Sequence, residues 1–162
     1  MHTLFLLRHA QPAHSPVTGS GDSQRPLTAV GRRQAAEVGR SLELRGVDLT
    51  LCSSALRTRE TFEATGLSCP LEVMRALYSC GVDTMRQRIS EVGEEVSTLL
   101  VVGHAPTVPA LAAELSSEDP VRSEEIARWY PPATLTEISL DWPWDGVLDP
   151  SRTGVLRGIQ RL

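Results

Sequence analysis

Two short runs of uninterrupted apolar residues constrain the fold more than any other feature of this chain. Thr3 to Leu7 (TLFLL) and Thr98 to Val102 (TLLVV) are apolar on both of their alternating faces. Such runs suit strands covered on both sides, as at the centre of a parallel sheet. Between them helical spacing takes over. Thr28 offers a helix N-cap, Ala35, Val38 and Leu42 recur at helical intervals, and Gly46 provides a stop. Val47 to Cys52 reads as a second strand. Ser53 and Ser54 read as caps of a helix that carries Leu56, Thr58 and Phe62 and ends at Gly66. Leu71 to Met74 is a third, weaker strand, and Met85, Ile89 and Val92 form another helical stripe. After the second apolar run the chain turns at Gly103-His104 into a helix. Pro106 lies in its first turn, and Val108, Leu111, Ala112 and Leu115 share one face. A polar stretch follows, then two final strands, Thr134 to Leu140 and Val155 to Gln160, joined by a loop from Asp141 to Pro150.

Strands alternating with helices predict an α/β three-layer sandwich with a mostly parallel central sheet flanked by helices. A length of 162 residues suits one core, so residues 1–162 are expected to form a single domain. Aromatics make up only 4% of the chain, which leaves the core to aliphatic side chains. The net charge of -4 argues against nucleic acid as a partner, because that binding needs a basic face to displace counterions. Cys52, Cys69 and Cys80 form no CxxC pair, so neither a disulfide framework nor a structural zinc site is expected. The N-terminal apolar run stops at Arg8, too short to span a bilayer. No membrane association and a cytoplasmic location follow as expectations, and the oligomeric state stays open. No GxxxxGK loop is present, and neither a metal nor another cofactor is expected.

Chemistry-bearing residues fall just beyond the predicted strand ends: Arg8-His9, Arg57 and His104. Ligands of open parallel sheets bind there, where helix N-termini also point. Arginine forks and histidines suit a phosphoryl group, whose transfer rests on positioning and charge stabilisation. A histidine can attack phosphorus when one ring nitrogen is unprotonated and the other is fixed by a hydrogen bond to a backbone carbonyl.

Four segments carry a family resemblance. Leu6-Leu7-Arg8-His9-Ala10 resembles the RHG signature of the histidine phosphatase (phosphoglycerate mutase-like) superfamily. Arg25-Pro26-Leu27-Thr28-Ala29-Val30-Gly31 is similar to its RPLTxxG segment, and Ser53 to Thr61 (SSALRTRET) to its SSxxxRTxxT segment. Val101-Val102-Gly103-His104-Ala105-Pro106 matches its VGHxP motif. The matches occur in family order across roughly residues 3 to 115, and the short chain most resembles the SixA-type phosphohistidine phosphatases. The resemblance implies the phosphoglycerate mutase-like fold. It also implies a phosphorylated nucleophile at His9, with Arg8, Arg57 and His104 as the other members of a phosphate pocket. Two departures stand out. Ala10 replaces the glycine of the signature. The stretch where many members carry a proton-donating acid reads Leu77 to Asp83, with Asp83 as its one acidic residue.

Asp83 either donates a proton or caps the next helix; Glu60 and Asp22 are the other acid candidates. Arg57 has a plain alternative in pairing with Glu60 on its own helix. Arg25 either lines the pocket mouth or lies in a solvated loop. His2 and His14 read as surface or loop histidines. Trp129, Trp142 and Trp144 read as cover for the sheet, with substrate docking by Trp129-Tyr130 as an alternative. A weak acid favours a substrate that can lose its leaving group without one. The leading expectation is therefore a metal-independent phosphatase acting on a protein phosphohistidine. The rivals are a small-molecule phosphomonoesterase on sugar, alkyl or aryl phosphates, and a non-catalytic phospho-binding module.

Overall fold

The computed structural model describes residues 1–14 and 21–162. Six strands form one sheet: β1 (His2–Arg8), β2 (Leu49–Ser53), β3 (Leu71–Met74), β4 (Thr98–Gly103), β5 (Leu135–Leu140) and β6 (Val155–Gln160). Their spatial order is β3-β2-β4-β1-β5-β6. The first four are mutually parallel, whereas β5 and β6 add antiparallel pairs on the far side of β1. The two apolar runs are neighbours at the centre, with Leu4 opposite Leu99 and Leu6 opposite Val101.

Five helices cover this sheet: α1 (Ala29–Leu42), α2 (Leu56–Thr65), α3 (Val82–Ser90), α4 (Thr107–Leu115) and α5 (Pro120–Arg128). The two-residue strand period divides the core. Phe5, Leu7, Leu100 and Val102 pack with Ala35, Val38 and Leu42 of α1 and Phe62 of α2. Leu4, Leu6, Leu99 and Val101 pack on the opposite face with Met85, Ile89, Val108, Leu111 and Ile126. The expected α/β three-layer sandwich is therefore present.

Local signals act largely as the sequence suggests. The Thr28 side chain accepts a hydrogen bond from the Gly31 amide, and Gly66 closes α2 with φ +72°. Gly31 has a further reason to be glycine: a β-carbon there would lie 2.3 Å from the Gln11 carbonyl oxygen. That contact presses α1 against the chain just beyond His9.

Several expectations are corrected. Ser53 ends β2 rather than capping α2, whose N-cap is Ala55 without a side-chain bond. The polar stretch after α4 contains α5, capped by Asp119 with Pro120 in its first turn and burying only Ile126. Pro106 precedes α4 instead of lying inside it. His2 is buried: Nδ1 lies 3.1 Å from the Trp142 carbonyl and Nε2 3.2 Å from Glu94. Of the tryptophans, Trp142 and Trp144 are buried while Trp129 is 60% exposed.

Trp144 is the largest fully buried side chain, and its Nε1–H donates to the Val96 carbonyl at 2.8 Å. Trp144→Ala is expected to cost about 3–5 kcal/mol of stability through the cavity it leaves. Urea unfolding of both proteins reads this directly, and a change within error would refute it. No helix among the described residues is long and apolar enough to cross a membrane.

Candidate active site

The sheet register brings the two histidines together. Arg8 at the end of β1 pairs with Gly103 at the end of β4, so His9 and His104 leave neighbouring strands side by side. The His9 amide donates to the Gly103 carbonyl at 3.0 Å, and the two rings lie 5.3 Å apart. Ala133, at φ +63°, donates its amide to the carbonyls of both Arg8 and His9. A non-glycine residue adopts that conformation at a cost, which the shared hydrogen bond offsets.

His9 is 5% exposed, and its Nδ1 lies 2.8 Å from the Ala10 carbonyl. A carbonyl only accepts, so Nδ1 carries the proton and Nε2 keeps a lone pair. Burial lowers the His9 pKa to about 3, with the positive fields of Arg57 and Arg8 and the neighbouring His104 acting in the same direction. Ala10 needs no positive φ here, and its amide donates to Thr61 Oγ1 at 3.0 Å. The alanine is therefore compatible with the turn that glycine occupies in the signature.

Two arginines flank this pair. Arg8 is held by a 2.8 Å bond from Nη1 to the Tyr130 carbonyl, while its buried Nε has no partner among the described residues. Arg57, in the first turn of α2, is 8% exposed and does not pair with Glu60. Its Nη1 and Nη2 donate to the carbonyl and carboxylate of Asp22 at 2.9 and 3.1 Å. Burial and the Arg57 charge lower the Arg8 pKa. Burial, with Arg57 next, lowers that of His104 to about 4.

The three acid candidates separate. Asp22 alone lines the pocket, where Tyr78 OH, Arg25 and Arg57 all donate to its carboxylate. Those bonds, Tyr78 first, hold its pKa at about 2, so it is ionised near neutrality. Glu60 accepts from the Leu27 amide and Arg32, which ties the start of α1 to α2. Asp83 is exposed in the first turn of α3 and makes no capping bond. Arg25 takes up Ala13 and Asp22. The pocket, a cavity of about 280 Å³, is lined by Asp22, Arg57, Tyr78, Cys80, His104 and Thr107 among others.

In the sequence Tyr78 and Thr61 carry no assigned role, and Ser53 reads only as a helix cap. Tyr78 adjoins the stretch searched for an acid, and Thr61 follows Arg57 by one helical turn, so both had a positional signal. Among the described residues, no group of three or more His, Cys, Asp or Glu is placed to hold a metal ion. A lone-pair nitrogen beside a second histidine, within the field of two guanidinium groups, is suited to attack an electrophilic phosphorus whose oxygens those cations and the second ring can hold.

A sequence model of the Histidine phosphatase superfamily (branch 1) matches residues 4–97. An uncharacterized protein of Mycobacterium tuberculosis is 37% identical over 146 residues, which cover 87% of this chain and 91% of that protein. Phosphohistidine phosphatase SixA of Escherichia coli is 32% identical over 122 residues, 69% of this chain and 73% of that one. A solved structure of a candidate phosphohistidine phosphatase SixA from Nakamurella multipartitia superposes with TM-score 0.88 at 33% identity, covering 99% of this chain and 95% of that chain. The family match takes in His9 just beyond β1 and Arg57 on α2, and the chain belongs to the histidine phosphatase superfamily as a phosphatase.

Proposed function

We propose that this protein, acting as one domain over residues 1–162, removes the phosphoryl group from phosphohistidine on a partner protein, without a metal, by way of phospho-His9. The observation that carries this reading is the state of the pocket's acid. Asp22 is the carboxylate that reaches the pocket, and its three donors keep it ionised. An alkoxide leaving group would depart without a proton donor. A phosphohistidine whose distal ring nitrogen is protonated brings its own proton and departs as neutral imidazole. The likeness to SixA phosphohistidine phosphatases adds to the case.

In the first step the His9 Nε2 lone pair forms an N–P bond as the substrate's P–N bond breaks. The leaving imidazole takes that electron pair. Arg8, Arg57 and His104 hold the equatorial oxygens, whose charge they stabilise. In the second step water forms an O–P bond as the His9 N–P bond breaks. His9 returns to its Nδ1–H form, and both protons of the water leave with dihydrogen phosphate. Neither step draws a proton from an enzyme carboxylic acid.

Turnover of a phosphohistidine protein is therefore expected to exceed that of sugar and alkyl phosphates by on the order of 100-fold or more in kcat/KM, the usual size of general acid–base assistance. Aryl phosphates, with their better leaving group, should fall between. Equal or better turnover of sugar phosphates would transfer the assignment to the small-molecule phosphomonoesterase reading. Binding of phosphohistidine without release of phosphate would leave a binding module.

The pH dependence has a definite sign. A histidine nucleophile of ordinary basicity loses activity below pH 6.5, but His9 holds its lone pair down to about 3. For p-nitrophenyl phosphate, corrected for the substrate's own ionisation, kcat/KM is expected to stay level through pH 6.5. It should fall only as pH approaches 4, where His104 takes up a proton. Stability follows the same groups. The unfolded chain protonates both histidines below pH 6.5 while the folded one does not, so their contribution to stability falls as pH drops from 6.5 toward 3. An acid limb centred at 6.5 would contradict the assigned state of His9.

A further inference from the structure

Ser53 is fully buried at the last position of β2, a place where no substrate contact is needed to explain it. Its Oγ lies 2.7 Å from His104 Nε2 and 3.3 Å from the Ala55 amide. The amide can only donate, so it occupies one lone pair of the hydroxyl. Two arrangements then remain. If His104 Nε2–H donates to Ser53, the serine hydrogen has no acceptor and the lone pair of Nδ1 has no donor. If Ser53 donates to Nε2, the single unmatched group is the Nδ1–H. Leaving buried polar groups unmatched is costly, and the second arrangement leaves fewer. Among the described residues, the buried His104 Nδ1 indeed has no hydrogen-bond partner, and neither has the buried Arg8 Nε.

We propose that Ser53 is a positioning residue of the phosphatase reaction, donating its hydroxyl hydrogen to His104 Nε2 and thereby fixing His104 as the neutral Nδ1–H tautomer. The single donor of that ring is then Nδ1–H, left for a phosphoryl oxygen. The two histidines are thus fixed in the same tautomer by different means: His9 by a carbonyl acceptor at Nδ1, His104 by a hydroxyl donor at Nε2. His104 also faces the His9 ring, the Tyr78 ring edge at 5.8 Å, and the charges of Arg57, Arg8 and Asp22. Ser53 differs from all of these in making a hydrogen bond to the ring. The inference rests on the phosphatase assignment but not on phosphohistidine as substrate.

The test is nitrogen-15 correlation spectroscopy of the histidine rings in substrate-free wild type, Ser53→Ala and Ser53→Thr, paired with pH–rate profiles on p-nitrophenyl phosphate. In wild type, His104 should show a protonated Nδ1 and a hydrogen-bonded, unprotonated Nε2. In Ser53→Ala the pattern should become a mixture of tautomers, while His9 keeps its own pattern and reports that the fold is intact. The acid limb should move upward by roughly one pH unit, the worth of one hydrogen bond to the neutral ring. Loss in kcat/KM should be about 10- to 100-fold, as for other residues that orient a functional ligand. Ser53→Thr, which keeps the hydroxyl, should restore the wild-type His104 pattern. An unchanged His104 tautomer in Ser53→Ala, or a wild-type His104 protonated at Nε2, would overturn the proposal. Because the spectra need no substrate, the result stands whichever phosphorylated compound the enzyme prefers.

Discussion

Replacing His9 by alanine is expected to lower kcat/KM on every phosphorylated substrate by at least on the order of 10,000-fold, the scale seen when a covalent nucleophile is removed. The reason is specific to this residue. Of the two imidazoles set side by side at the strand ends, His9 holds its proton at Nδ1 and has no hydrogen-bond partner at Nε2 among the described residues, whereas the Nε2 of His104 is taken by Ser53. Its backbone neighbours make the variant a clean test. Ala10 is held by Thr61, and the His9 amide by Gly103, through main-chain atoms that the substitution keeps. Radiolabelled substrate should leave an acid-labile, alkali-stable label on wild-type enzyme and none on His9→Ala. A label of equal size on the variant would remove His9 from the mechanism.

Arg57→Ala is expected to have the next largest effect, a loss of about 100- to 1,000-fold in kcat, typical of removing one donor to developing charge. Arg57→Lys should recover little of it. The guanidinium is fixed as a plane by two bonds to Asp22, and an ammonium cannot make the same pair. Steady-state kinetics, with inorganic phosphate as a competitive inhibitor, separates the two possible roles. Weaker phosphate binding alongside lower kcat places Arg57 on the oxygens. Intact phosphate binding with unchanged kcat would confine it to holding Asp22.

Much of this was legible in the chain because its signals are local. Leu4 to Leu7 and Leu99 to Val102 are apolar on both faces, a pattern that suits a short strand buried on both sides. Val108, Leu111, Ala112 and Leu115 repeat at helical spacing and are all buried on α4. Helix α5 was hidden for the opposite reason: with only Ile126 buried, it has no apolar stripe to detect, although Asp119-Pro120 is a good start signal. Arg8, His9, Arg57 and His104 each follow a recognisable strand or motif, and the fold sets the two histidine rings 5.3 Å apart with both arginines near enough to act on their charge. The fate of Ser53 was not readable. A serine hydroxyl caps a helix or bonds a distant imidazole with the same chemistry, and only the neighbouring strand decides between them. The same holds for the carboxylates. Asp22, Glu60 and Asp83 sit on polar segments of similar character, and nothing local says which of them Tyr78 and Arg57 will meet.

The histidine spacing has a consequence for how such a pocket can change. Because His9 and His104 step off adjacent strands in fixed register, their separation is a property of the backbone ladder rather than of any loop. Tyr78 and Asp22, which line the pocket beside His104, belong instead to connecting segments outside the sheet. The paired histidines and the rest of the pocket lining are thus mechanically separable. A graft that exchanged residues 75–81 for a segment bearing a neutral carboxylic acid could widen the range of esters cleaved while the attacking nitrogen stayed where it is.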